Sequence, residues 1–195
     1  MTTHKSTVQE TTIEVIKEFH GHICPGLALG FRMAKAAMEA LGCSRADDEE
    51  LTAVVENDAC GVDALQVITG CTMGKGNLFF KDYGKMSFTI MKRNTGEAVR
   101  VTPSQEQNKR RSKSSMSPED RQAMTDWILS APVSDVVAVQ KISLEAQPYA
   151  RIRKSVDCSR CHEAVMESRI RVHAGNYVCI PCAEILERQP QPPKQ

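Results

Sequence analysis

The sequence predicts an α+β protein: a core of mixed helices and strands followed by a small metal-held module. Three observations lead there. Helix-like and strand-like stretches follow one another without the regular alternation of a parallel α/β sheet. Late in the chain, four cysteines stand in two CxxC pairs. The chain has 195 residues, 41% hydrophobic and 25% charged, which suits one ordinary soluble domain plus an appendage. The expected division is a core over residues 1–150, a metal module over 151–188 and a disordered proline-rich tail over 189–195.

Residues 8–19 place Val8, Ile13, Ile16 and Phe19 at helical spacing, and the stretch 20–26 then breaks the helix. A second helix starts at Pro25, a favoured first helical position, and ends before Gly42. Residues 51–57 read as a strand. Residues 61–69 read as a short helix closed by Gly70. Residues 77–83 and 86–93 read as strands joined through the turn 82–85, with a further strand over 98–102. The polar, basic stretch 103–117 has no periodicity and reads as a flexible loop. Ser117, Pro118, Glu119 and Asp120 give a cap, a proline and two acids, so a helix runs from there to about Leu129. Residues 134–143 read as a strand.

The net charge of +1 gives no whole-chain pull toward nucleic acid or an anionic membrane. The polar N-terminus has no apolar signal core, and no stretch reaches the roughly 20 apolar residues of a membrane span. The expected setting is the cytoplasm. In a reducing compartment eight cysteines point to metal or thiol chemistry before disulfides.

Cys158, Cys161, Cys179 and Cys182 form two knuckles, each presenting two thiolates to one ion. A hairpin turning near residues 174–176 lies between them, and a helix follows Cys182, the layout of a ribbon or treble clef. So small a unit buries too little apolar surface to fold alone, so a structural zinc ion supplies much of its folding energy. Cys158-Ser-Arg-Cys161-His162 also matches a haem c attachment pattern, but the second pair favours zinc. Four thiolates close the shell, which argues against a catalytic ion. His162 and His173 read as surface or packing residues.

His20, His22 and Cys24 lie at alternate positions in the first interhelical loop, so an extended segment points them the same way. Two imidazoles and a thiolate suit zinc, iron or nickel. Cys24 and Cys60 each stand at a helix start, where a thiolate is favoured, and Cys71 follows Gly70 closely enough to join them. The alternative for these residues is ordinary packing. The glycine-rich stretch 69–77 carries Lys75 and is either a backbone nest for a small anion or a tight turn.

Residues 19–32 (FHGHICPGLALGFR), 60–66 (CGVDALQ) and 69–78 (TGCTMGKGNL), with Asp82-Tyr83-Gly84-Lys85, closely resemble the FmdE family, the E-subunit family of molybdenum/tungsten formylmethanofuran dehydrogenase. The match covers residues 10–145. The late cysteines resemble a C4 zinc finger of TraR/DksA type. The resemblance implies an α+β core, a homodimer and a metal-binding active site. His20, His22 and Cys24 match its first motif, Cys60 and Asp63 the second, and Cys71 and Lys75 the third.

Two functional expectations follow. One is a Cys/His metal protein linked to molybdenum or tungsten enzyme metabolism. In it, His20, His22 and one or more of Cys24, Cys60 and Cys71 bind the ion, Asp63 orients a ligand histidine or acts as a base, and Lys75 draws an anionic ligand. The other is a regulatory or accessory protein whose basic finger and 109–113 run bind nucleic acid or a protein partner.

Overall fold

A computed structural model describes residues 11–111, 117–144 and 148–188. The expected tail at 189–195 and the expected helix start at 8–10 fall outside these. The chain forms two compact units, residues 1–150 and 151–195.

In the first unit, helices α1 (Ile13–His20), α2 (Pro25–Leu41) and α3 (Gly61–Thr69) accompany a five-stranded sheet. Its strands are β1 (Leu51–Val55), β2 (Leu78–Phe80), β3 (Phe88–Lys92), β4 (Glu97–Pro103) and β5 (Val137–Ser143), in the order β2-β1-β3-β4-β5. Helices α4 (Gln105–Arg111), α5 (Pro118–Ser130) and the single turn α6 (Val133–Val136) link β4 to β5. Helix and sheet therefore mix without regular alternation, as the α+β expectation has it.

Helix α2 is the hub, packing on α3, α5, β3, β4 and β5. Pro25 opens it without leaving an amide unpaired, and Gly42, at φ +57°, closes it in the left-handed region. Leu27, Met33 and Met38 are fully buried. At roughly 1.5–3 kcal/mol for each such side chain, they anchor the helix on the sheet. Arg32 reaches from α2 to the end of α5 and donates to the carbonyls of Ile128, Leu129 and Ala131 at 3.0, 2.7 and 2.7 Å. Those carbonyls have no further turn of helix to accept from. At the other end of α5, Ser117 and Asp120 form a reciprocal capping box, as the sequence order of cap and acid predicts.

Two expectations are corrected. Strands β2 and β3 are not a hairpin, because β1 lies between them, parallel to β2 and antiparallel to β3. The connecting stretch instead runs past the end of β1, with Lys81 N–H on the Val55 carbonyl at 2.9 Å and Lys85 N–H on the Glu56 carbonyl at 3.0 Å. Nor is 103–117 all loop, since residues 105–111 form α4. Ser104 caps it, its Oγ accepting from the Gln107 N–H at 3.0 Å, and the Arg110 guanidinium lies 4.4 Å from the centre of the Trp127 ring. So short a helix needs only one or two buried positions, here Gln107, and shows no period. Residues 112–116 lie outside the described residues.

The contact that sets the helix layer is between glycines. A Cβ on Gly30 of α2 would overlap the backbone of Gly61 at the start of α3. A Cβ on Gly61 would lie 3.1 Å from the Gly26 carbonyl and 3.2 Å from the Gly30 Cα. Helix backbones this close exclude any side chain at the crossing.

The second unit pairs β6 (Ser155–Asp157) with β7 (Ala164–Met166), and β8 (Arg171–His173) with β9 (Asn176–Val178), and ends in α7 (Ile180–Glu187). Ala174 and Gly175, both at positive φ, make the β8–β9 turn, which is the twist-matched geometry for a two-residue hairpin. Its core is little more than Cys158, Val178, Cys179, Cys182 and Ala183.

Gly30→Ala separates α2 from α3. The expected outcome is a loss of about 2–3 kcal/mol or more in urea unfolding. Gly74→Ala, where nothing stands within 4 Å of the new Cβ, changes little. Equal stability of the two variants would refute the assignment of the glycine crossing.

Candidate metal centres

Helix α1 ends at His20, where Gly21 takes φ +97° and turns the chain. The chain bends through His22, and Cys24, extended at φ −136° and ψ 166°, caps α2, its Sγ accepting from the Leu27 N–H at 3.4 Å. His20, His22 and Cys24 converge, each with one ligand atom within 4.8 Å of the others. The two imidazole centroids are 4.8 Å apart. The three converge as expected, but through the end of α1 and the left-handed turn at Gly21 rather than by alternation along an extended segment.

Asp63 stands in the first turn of α3, with its Oδ2 2.6 Å from His20 Nδ1. An ionised carboxylate only accepts, so Nδ1 carries the proton, and in the neutral imidazole Nε2 keeps its lone pair. That Nε2 is buried and has no hydrogen-bond partner among the described residues. A buried, unpaired imidazole nitrogen is costly unless something accepts its lone pair. A metal ion does so, and a carboxylate behind the ligand histidine is the usual support.

Cys60 arrives from the other side of the helix crossing. The turn before it is fixed by Asn57, whose Nδ2 donates to the Lys85 carbonyl at 2.6 Å and whose Oδ1 accepts from the Ala59 N–H at 3.0 Å. Glu56 is held by an ion pair with Arg100, which keeps its carboxyl below the usual range. A Cβ on Gly26 would be 3.8 Å from Cys24 Sγ and 3.9 Å from Cys60 Sγ, so the two thiols flank the same glycine. Burial, then the charge and thiol of Cys24, push the Cys60 thiol up. It is not one of the three converging ligands.

The structure does not bring Cys71 or Lys75 to this cluster. Cys71 is fully buried in the core, where loss of water pushes its thiol up to about 11. The Lys75 ammonium donates to the carbonyls of Asp47 and Asp48 at 3.3 and 2.9 Å. The 69–77 stretch is a braced turn, with Thr72 N–H on Asn77 Oδ1 at 2.9 Å. Sequence spacing alone could not distinguish this from an anion nest, because the deciding partners lie at 47 and 48.

The cavity beside His20 also has walls that the sequence did not point to: Asn57, Asp58, Gln66, Met73 and Phe80. They come from the end of β1, from α3, from the 71–77 turn and from β2, and only the parallel pairing of β1 with β2 assembles them.

In the second unit, Cys158, Cys161, Cys179 and Cys182 converge with their sulfurs within 4.8 Å of one another. Cys158 Sγ accepts from the Cys179 N–H at 3.3 Å. Backbone N–H groups of Cys161 and Cys179 hold the Cys158 thiol down to about 6. Arg160 Nη1 lies 3.7 Å from Cys182 Sγ. Four sulfurs around one point make a closed tetrahedral donor set.

The family described as FmdE, molybdenum formylmethanofuran dehydrogenase operon, matches residues 19–138. The chain belongs to the FmdE family. The chain is also similar to a protein of Archaeoglobus fulgidus named a probable S-adenosyl-L-methionine-binding protein, 33% identical over 190 residues. That alignment covers 86% of this chain and 51% of the relative, so the chain spans about half the relative's length. Among solved structures it is similar to an FmdE-like protein of tungsten formylmethanofuran dehydrogenase type from Syntrophus aciditrophicus. The TM-score is 0.67 at 23% identity, over 94% of this chain and 97% of that one, a likeness of fold. Among the described residues, no helix is long and apolar enough to cross a membrane.

Asp63→Asn keeps the shape of the contact and removes the carboxylate charge behind His20. Competition with a chromogenic chelator should show metal affinity at the histidine cluster falling about 10- to 100-fold. An unchanged affinity would remove Asp63 from the site.

Proposed function

We propose that this FmdE-family chain is a two-site metalloprotein. His20, His22 and Cys24 bind one transition-metal ion with a coordination position left open, and the four late cysteines bind a structural zinc ion. The observation that carries the reading is the buried His20 Nε2, left without a partner while Asp63 fixes the tautomer. Three protein ligands with one open position is the arrangement in which a metal can act on a bound molecule, as Lewis acid or by lowering the pKa of water. His22 and Cys24 are the exposed and capping ligands of that ion. Cys60 is the nearby thiol available to a substrate, and Asp63 positions His20. A role in molybdenum or tungsten enzyme metabolism is supported by the family's description. The S-adenosyl-L-methionine in the archaeal relative's name supports a small organic ligand beside the ion.

The closed sulfur set, the two hairpins and the terminal α7 support a treble-clef zinc finger of TraR/DksA type, with a folding rather than a catalytic role. The exposed cross-strand pair Val172 and Tyr177 favours a protein contact over nucleic acid, with a second copy of this chain as the partner.

Metal analysis tests both sites. The intact protein should hold about two ions per chain, and Cys158→Ser with Cys161→Ser about one. Adding His22→Ala should bring the content near zero. If the double cysteine variant already lacks metal, the N-terminal site does not exist.

A further inference from the structure

The cavity beside His20 has a chemical preference of its own. Its volume is about 380 Å³, within the ~300–1,000 Å³ of small-molecule sites. Val55, Val62 and Leu78 make much of its wall apolar, and the exposed side chains of Met73 and Phe80 carry that character to the mouth. Its charged lining is acidic: Asp58 and Asp63 contribute carboxylates, and among the described residues no lysine or arginine lines it. Asp58 is exposed, and one oxygen of Asp63 is engaged by His20. Lys75, the cation expected to draw an anion, is occupied by the carbonyls of Asp47 and Asp48 and is absent from the lining.

We propose that this cavity binds a small organic cation with an apolar body, a quaternary ammonium or sulfonium compound. Such a cation cannot donate strong hydrogen bonds, so it is recognised by an aromatic or soft face together with nearby carboxylates. Phe80 and Met73 supply the faces, and Asp58 and Asp63 supply the charge. An anion would meet two carboxylates with no cationic side chain to offset them. The metal does not reverse this balance. A divalent ion on two neutral imidazoles and the Cys24 thiolate leaves a single positive charge, against the two carboxylates. Gln66 adds an amide to the wall and can orient a polar substituent of the ligand. The inference rests on the metal reading only in that His20 is both a cavity wall and a ligand.

Isothermal titration calorimetry on the full chain tests it with benzyltrimethylammonium and, as a body of similar size and opposite charge, phenylacetate. The ammonium compound should bind at least about tenfold more tightly than phenylacetate. Asp58→Asn and Phe80→Leu, both at exposed positions, should each weaken it roughly three- to tenfold. His22 does not line the cavity, so the preference should persist in His22→Ala, which separates loss of the metal from loss of the cation site. Equal or tighter binding of phenylacetate would overturn the proposal. So would indifference to both cavity substitutions, or no heat from the ammonium compound at millimolar concentration.

Discussion

The glycine-on-glycine contact between α2 and α3 is the constraint on which the rest of the first unit depends. Gly30 and Gly61 touch through backbone, which no other residue type permits. Because the helices meet near the start of each, the two starting residues, Cys24 and Cys60, come together on either side of Gly26. Asp63 then lies one turn into α3, within reach of His20 at the end of α1. Widening that crossing by one methyl group would move the carboxylate, the second thiol and part of the cavity wall away from the histidines at once. Packing and chemistry are not separable here: the small residues in the FHGHICPGLALGFR stretch serve the site by removing distance.

Electrostatics complete what packing begins. A half-buried histidine with a buried ring nitrogen is an unfavourable object unless that nitrogen has a partner. Asp63 serves Nδ1, which leaves the buried Nε2 without a hydrogen-bond partner among the described residues, on a histidine that converges with His22 and Cys24. Asp58 and Asp63 give the adjoining cavity its sign. Glu56 sits one residue from the cavity wall but faces the sheet, where Arg100 pairs with it. That pair fixes the end of β1 and hence the turn that delivers Cys60. The acidic residues of the 56–63 segment thus divide between holding the backbone and shaping the site.

How much of this could be read in the sequence depended on range. Helices α2 and α3 were legible to the residue because their signals are local: Pro25 and Gly42 for one, Gly70 for the other. The convergence of His20, His22 and Cys24 was legible because the three are close in sequence, although a helix end and the turn at Gly21, not an extended segment, bring them together. The second unit's cysteines were legible because a knuckle is a four-residue device. What failed was pairing across long separations. Nothing near residues 77–93 says that β1 will insert between β2 and β3, and nothing near Lys75 says that the carbonyls at 47 and 48 will take its charge. The expected membership of Cys71 failed for the same reason. Closeness to a glycine in sequence is not closeness to a site, and Cys71 turns into the core instead. The glycine crossing had a visible signal in the spacing of Gly26 and Gly30 on a helix otherwise rich in alanine and leucine. Its partner, Gly61, is evident only with both helices in place.

The two cysteine-bearing clusters differ in a way that sorts their roles. In the second unit Cys158, Cys179 and Cys182 make up most of the buried core, so an ion there would replace a hydrophobic interior that 45 residues cannot supply. In the first unit the core is complete without a metal: Phe88, Leu27, Ile90 and Ile128 are fully buried around α2 and the sheet. A metal there adds nothing the fold requires. A donor set that the fold does not need, backed by a carboxylate and sharing His20 with the wall of a 380 Å³ cavity, is the feature on which the proposed metal site rests. Stability accounts for the second unit's sulfurs, whose buried members are its core. Stability does not account for the histidine cluster, which is why the proposed ligand is sought in the shape and sign of the cavity beside it.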